Sequence, residues 1–408
     1  MKITLVNHSD TLGGASVVTF RLMQALRALG VDARMLVTRK SGDSPFVVQA
    51  APRWRSRLPF LAEHLDIFLH NGFSKANLFK ASIATCGLPL SQHPLIRQAD
   101  AVILNWVNQG MLSLDEIGRI AALKPTLWTM HDMWNLTGIC HHAGDCPNFT
   151  TRCHDCPLLG SGAGPHDLSA RCFDRKDALY GGAGIRFVSV SSWLTRKAAE
   201  SSLLGKRDVT TIPVAFPVAE YSRPAAATRA SLGLPDNKKL IVMCAARLDD
   251  PIKGLPIAID ALNSLNADAV AVFVGAIRDP HALDGLAMPH IALGPVGETT
   301  VRAVMAHADI VLSSSSYESF GATLLEGQAA GATPVGYTHD GRADIISDGA
   351  TGYSGGTDPT DARALARALT RALTQPIPAE RLAAVAARFS GDAVARRYLD
   401  LLAQDAGA

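Results

Sequence analysis

A chain of 408 residues is too long for one ordinary core and predicts two domains of about 200 residues each. With 48% apolar residues, 19% charged residues and a net charge of +2, the composition excludes a disordered segment, a nucleic-acid coat and a general polyanion binder. The opening Met1, Lys2, Ile3, Thr4, Leu5, Val6, Asn7, His8 turns polar too soon for a secretory leader, and no later apolar run is long enough to span a bilayer. The expected location is therefore the cytoplasm, where the seven cysteines stay reduced.

Short apolar runs alternate with helical patterns along the chain, the order of parallel sheets built from strand-helix-strand units. The first series predicts strands over 3–7, 33–38, 101–104, 126–130, 186–190 and 209–212, with a helix over 15–29. Proline and alanine interrupt the pattern over 216–235 and place a linker near residue 218. A second series follows over 240–245, 270–275, 291–294, 310–313 and 333–336, and leucine and alanine stripes predict closing helices over 361–374, 378–388 and 392–403. The expected fold class is α/β, with Rossmann-like domains over 1–217 and 218–390, a cysteine-rich insertion near 138–160 and a terminal helix within 391–408.

Chemistry-bearing residues cluster at predicted strand ends, where open parallel sheets bind ligands. The first strand leads into Thr11, Leu12, Gly13, Gly14, Ala15, Ser16, a glycine loop that opens a helix. It lacks the third glycine of a dinucleotide fingerprint, and the second strand ends in Thr38, Arg39, Lys40 without a ribose-binding acid, which argues against NAD. Residues 53–60 interleave Arg53, Arg55 and Arg57 with Trp54 and Phe60, a pattern suited either to an anionic lipid surface or to an ordinary solvated helix start. Asn105, Trp106, Val107 and Asn108 end one strand and offer a stacking platform for an acceptor, or a core tryptophan; His131 and Asp132 end another.

Cys140, Cys146, Cys153 and Cys156 fall within seventeen residues, among His141, His142 and His154. The last pair is a common zinc half-site, and a loop this long needs a clasp, so a structural zinc is one reading and reduced, partly buried thiols the other. A zinc deaminase is excluded, because neither the preceding proline nor a nearby His-x-Glu is present.

In the second series, Arg247 ends the first strand and Lys253-Gly254 open the next helix, two cations able to neutralise a diphosphate. After 310–313 the chain reads Ser314, Ser315, Ser316, Tyr317, Glu318, Ser319, Phe320, Gly321, with a helix expected near Phe320 whose free N–H groups seat a phosphate. Glu318 and Glu326 can bind sugar and ribose hydroxyls; either alone also reads as a solvated helix charge.

The set Arg247, Lys253-Gly254 and Glu318 with Glu326 eight residues on, continued by Gly331, Ala332, Thr333, Pro334, Val335 and by Gly341, Asp344, Asp348, Gly349 and Gly352, resembles the retaining glycosyltransferases of family 4. The run Thr338, His339, Asp340, Gly341 departs from that family's paired glycines. The resemblance implies the GT-B fold, with sheets facing across a deep cleft and the last helix crossing back to the first domain. It implies Arg247, Lys253, Glu318 and His131 as catalytic residues, and Gly13, Gly14, Phe320, Gly321 and Glu326 as donor-binding. The implied chemistry is metal-independent, with the departing phosphate taking the acceptor proton. The His-Asp-x-Trp run followed by the cysteines is similar to polysaccharide-assembly members of the colanic acid type. That similarity implies hexose transfer from a UDP- or GDP-sugar to a lipid-linked exopolysaccharide or lipopolysaccharide unit, by an enzyme peripheral to the membrane. A sugar-nucleotide epimerase and a non-catalytic nucleotide-sugar scaffold are the alternatives.

Overall fold

The computed structural model describes residues 1–223 and 227–406. The chain forms two compact units: Met1–Ala215 together with the helix that begins at Gly391, and Phe216–Ser390. The division falls two residues before the expected boundary. Phe216 already belongs to the second unit, because its N–H donates to Phe389 O at 2.9 Å and its buried ring packs on Tyr221.

The first unit holds a seven-stranded sheet of β1 (Lys2–Ser9), β2 (Asp32–Arg39), β3 (Val47–Gln49), β4 (Ala101–Leu104), β5 (Thr126–Met130), β6 (Ile185–Ser189) and β7 (Val209–Thr211), ordered β3-β2-β1-β4-β5-β6-β7. Its helices are α1 (Gly14–Ala28), α2 (Arg53–His70), α3 (Pro94–Gln98), α4 (Leu114–Leu123), α5 (Leu168–Gly182) and α6 (Ser192–Glu200). The second unit holds α7 (Val218–Tyr221), β8 (Lys239–Arg247), α8 (Leu255–Asn263), β9 (Ala269–Ala276), β10 (His290–Gly294), α9 (Glu298–His307), β11 (Ile310–Ser313), α10 (Ala322–Ala329), β12 (Thr333–Gly336), β13 (Tyr353–Ser354), α11 (Ala362–Thr374) and α12 (Ala379–Ala386). Its sheet runs β10-β9-β8-β11-β12-β13, and every pairing in both sheets is parallel.

The central strands are buried along their length, as expected for parallel sheets covered on both faces, and this is why they read as unbroken apolar runs. The closing helix α13 (Gly391–Ala406) lies in the first unit. Its Val394, Ala395, Tyr398, Leu401 and Leu402 join Leu22, Met23 and Leu26 of α1 in one core, and Tyr398 Oη pairs with Thr129 Oγ1 at 3.0 Å. Burying each large side chain contributes roughly 1.5–3 kcal/mol, so this helix is an integral part of that core. In both sheets the chain order reverses beside the first strand, between β1 and β4 and between β8 and β11. Those are the positions where loops diverge and leave room for a ligand.

Candidate active site

Beyond β8, Asp250 accepts the Ile252 N–H at 3.2 Å and starts a single turn that ends in Lys253. Gly254 follows at φ 62°, and a Cβ there would lie 2.2 Å from Ser314 O, so only glycine lets this loop cross the end of β11. The crossing brings Lys253 Nζ to 2.7 Å from Glu318 Oε1, an oxygen that also accepts from Ser315 Oγ at 2.8 Å. Burial pushes the Glu318 carboxyl up, but the Lys253 ammonium and then Arg342 outweigh it and hold the group below the ordinary glutamate value. Glu318 is therefore an ionised carboxylate at neutral pH.

Beneath this pair Asp340 and Arg342 are both fully buried and meet in a fork, with Nε at 2.9 Å and Nη2 at 2.8 Å from the two carboxylate oxygens. Asp340 Oδ2 also accepts the Glu318 N–H at 2.8 Å, and Arg342 Nη1 donates to Ser313 O at 3.3 Å. The buried ion pair thus fixes the backbone that carries Glu318. In the run that departs from paired glycines, Gly341 is indispensable, since a Cβ there would lie 2.1 Å from Ser319 O. His339 takes the other position. Its Nε2 donates to Ser316 O at 2.9 Å, while Nδ1 is buried without a partner.

The remaining residues expected to face the donor divide. Arg247 is bound at 3.1 Å to Asp249, whose other oxygen accepts the N–H groups of Arg278 and Asp279; its side chain is held by that acid rather than by Glu318. The helix begins at Ala322 behind Gly321 at φ 92°, two residues later than expected, because Phe320 is buried edge-on against Phe389. Glu326 lies half-buried on α10 and faces Cys244, whose thiol is pushed up to about 12 by burial and then by that carboxylate.

In the first unit, His131 at the end of β5 lies 3.0 Å from Asn105 Oδ1 at the end of β4. Burial pushes the imidazole down to about 4, so it is neutral at physiological pH. Trp106 is anchored by its N–H to Asn7 Oδ1 at 2.9 Å and by its indole N–H to Asp132 at 2.9 Å. Asp132 also accepts from His141 Nδ1 at 2.8 Å; burial raises this carboxyl, but His141 and the N–H donors more than reverse the shift. His141 Nε2 then meets Ser82 Oγ at 3.2 Å. Asn7, Asp132 and His141 were not singled out from sequence as site residues, although Asp132 adjoins His131 and His141 stands in the cysteine loop. Gly13 caps α1 at φ 83° without a side-chain bond, and a Cβ on Gly13 or Gly14 would meet nothing within 4 Å, so the space before this helix is open.

Among the described residues no group of three or more His, Cys, Asp or Glu could hold a metal ion. Cys140, Cys146, Cys153 and Cys156 are free thiols, and burial pushes Cys140 and Cys153 up to about 11 and Cys156 up to about 12. Lys176 on α5 ties down the start of this loop. Its fully buried ammonium donates to Trp134 O, Thr137 O and Gly138 O at 2.5, 3.0 and 2.9 Å and lies 3.4 Å over the Trp134 ring. No spacing rule identifies such a lysine, because its partners are backbone carbonyls.

Residues 225–389 match the family model described as Glycosyl transferases group 1. A phosphatidyl-myo-inositol mannosyltransferase from Mycobacterium tuberculosis is 30% identical over 175 residues, which is 41% of this chain and 45% of the relative. The chain thus spans about half the length of the curated relatives it matches. Among solved structures, a sucrose-phosphate synthase from Thermosynechococcus elongatus aligns over 100% of both chains at TM-score 0.69 and 18% identity. The Anabaena protein HepE in complex with UDP aligns over 99% of this chain and 100% of its own, at TM-score 0.63 and 16% identity. These structures share the fold: two parallel-sheet Rossmann-like domains of the GT-B kind. Lys253, Glu318 and Glu326 all lie inside the span that is similar to the glycosyl transferases group 1 model.

Proposed function

We propose that the chain is a retaining, metal-independent glycosyltransferase that moves a hexose from a UDP- or GDP-sugar onto a lipid-linked unit of an exopolysaccharide or lipopolysaccharide, working at the inner face of the cell membrane. The observation that carries this reading is the Lys253–Glu318 pair at the β8–β11 switch point, 2.7 Å apart and locked from below by Asp340 and Arg342. A diphosphate bound there gains the Lys253 ammonium as a partner, and Arg247 adds a second cation at the same strand end. Such preset charges stabilise a leaving phosphate more as its negative charge grows. Glu318 and Glu326 accept hydrogen bonds from sugar and ribose hydroxyls. The bond from the anomeric carbon to phosphate breaks, the acceptor oxygen forms the new bond on the same face, and the departing phosphate oxygen takes the acceptor proton. Neutral His131 serves as a hydrogen-bonding group to the transferred sugar, and Trp106 as a platform for the acceptor. A relative named for phosphatidyl-myo-inositol and a fold neighbour that holds UDP support the substrate classes.

Thermal unfolding with UDP, GDP, ADP and their sugar conjugates tests this reading. One nucleotide stabilises the wild-type protein and its effect shrinks in Lys253→Ala. Failure of every nucleotide to stabilise the wild type overturns it in favour of a scaffold.

A further inference from the structure

The end of β8 is built around Asp249, a residue the reading above does not use. β8 and β9 pair in register from Lys239 with Ala269 to Cys244 with Val274, but the next pair is Arg247 with Ala276. Two residues of β8, Ala245 and Ala246, thus face the single Gly275 of β9, a bulge of the kind that re-aims side chains at strand ends. Gly275 sits at φ 133°, and a Cβ there would lie 1.7 Å from Ala245 O, so only glycine permits this bulge. The pairing closes with the Leu248 N–H on Ala276 O at 2.8 Å. One residue further, Asp249 Oδ2 accepts the N–H groups of Arg278 and Asp279 at 3.0 Å each, and Oδ1 accepts Arg247 Nε at 3.1 Å.

An acid beside a ligand-binding arginine either occupies it or aims it. Arg342 closes both Nε and Nη2 on the two oxygens of Asp340 and is thereby occupied. Arg247 gives Asp249 a single N–H, from Nε, and among the described residues its Nη1 and Nη2 have no hydrogen-bond partner. A guanidinium carries five N–H donors in one plane, so holding Nε fixes the direction of the Nη1–Nη2 edge while leaving its donors open. Two parallel N–H groups on such an edge match two oxygens of a phosphate. The Asp249 side chain is 10% exposed and that of Arg247 is 37% exposed, which keeps the acid inside and the cation at the surface. A long side chain that is already held loses less freedom when an anion binds.

We propose that Asp249 is a positioning residue for the nucleotide-sugar donor: it acts through Arg247, presenting the Nη1–Nη2 edge of that guanidinium to the donor diphosphate. This deepens the reading of Arg247 as a diphosphate cation and rests on it. Through the Arg278 and Asp279 N–H groups the same carboxylate ties that edge to the turn after β9, so two loops set its direction together. Asp249 exchanges no proton in the transfer; its work is done before the donor arrives.

Calorimetric titration of UDP and GDP into the full chain tests this, with wild type, Asp249→Asn, Arg247→Ala and the double variant compared. The nucleotide that the wild type binds is held about tenfold more weakly by Asp249→Asn. In the Arg247→Ala background the same substitution changes nothing further, because no guanidinium remains to be aimed. Tighter binding by Asp249→Asn means that the acid occupies Arg247, and equal weakening in both backgrounds means that it only holds the turn after β9; either result overturns the proposal. Arg247→Lys, which leaves Asp249 in place, keeps the charge but not the fork and weakens binding as much as Asp249→Asn. Binding of Arg247→Lys at wild-type strength sinks the aimed edge, whether or not the Asp249 variants fold. Failure of the wild type to bind either nucleotide overturns the donor reading and this inference together, whereas wild-type binding that ignores Asp249→Asn overturns this inference alone.

Discussion

The two units share a strand order but place charge at their switch points in opposite ways. In the second, Lys253 meets Glu318 and, buried beneath them, Arg342 meets Asp340, so the charges there are already paired and held in position. In the first, the switch point is furnished with neutral and aromatic groups, His131, Asn105 and Trp106, tied to one carboxylate, while Arg39, Arg53 and Arg57 line a cavity on the other side of β1. Prepaired charges suit one fixed reaction, because little rearrangement is needed as charge develops.

The comparison breaks most visibly if the buried pair is broken. Arg342→Met leaves Asp340 charged and buried, and unfolding by urea should show a loss of about 3–5 kcal/mol; replacing both partners by apolar residues of similar size should restore most of it. A loss confined to a few tenths would mean that the pair does not hold the loop. Lys253→Ala should lower turnover about a hundredfold to a thousandfold with the donor that stabilises the wild type, through the lost stabilisation of the leaving group. Arg247→Ala should cost less, because Asp249 already engages that side chain.

In the first unit, Lys176→Met orphans the carbonyls of Trp134, Thr137 and Gly138 and should destabilise by about 3 kcal/mol in the same urea assay. The alkaline limb of stability sharpens the point. Cys140, Cys153 and Cys156 titrate near 9.0 unfolded but at about 11, 11 and 12 folded, so their contribution is complete below pH 9 and is lost as pH rises through 11. Lys176 runs the other way: lowered from 10.5 to about 8, it favours the folded state increasingly from pH 8 to 10.5. Three thiols outweigh one amine, and the urea midpoint should fall between pH 9 and pH 11, less steeply in Cys153→Ala. The smallest effect is expected of Trp106→Phe, which loses one hydrogen bond to Asp132, about 1 kcal/mol by thermal unfolding.

Much of the second unit was legible because its constraints are local. Gly254, Lys253 and Glu318 stand at loop positions fixed by the strand-helix alternation, and the matched family span covers them. The expected strands are present, and the two that the periodicity missed, β3 and β13, are three and two residues long, too short to show a pattern. The first unit was less legible. His131 and Trp106 were visible, but the Asp132–His141 pairing joins a strand end to a loop nine residues on, and Lys176 reaches carbonyls 38 to 42 residues away. The apolar face of α2 was half-visible: the arginines and Trp54 stood out, whereas the exposure of its leucines depends on what packs beside them.

What the amino-acid sequence determined by itself was the alternation of buried strands and amphipathic helices, hence two parallel sheets, together with the residues at their strand ends. These follow from periodicity and from glycine positions that backbone geometry demands. Only the tertiary structure decided which charges are neutralised. It gave Glu318 to Lys253 and Asp340 to Arg342, set the Lys176 ammonium on the carbonyls of Trp134, Thr137 and Gly138, and brought Arg39, Arg53 and Arg57 to the lining of one cavity. Pairing depends on distances of a few ångströms between residues far apart in the chain, and those distances exist only once the sheets have formed.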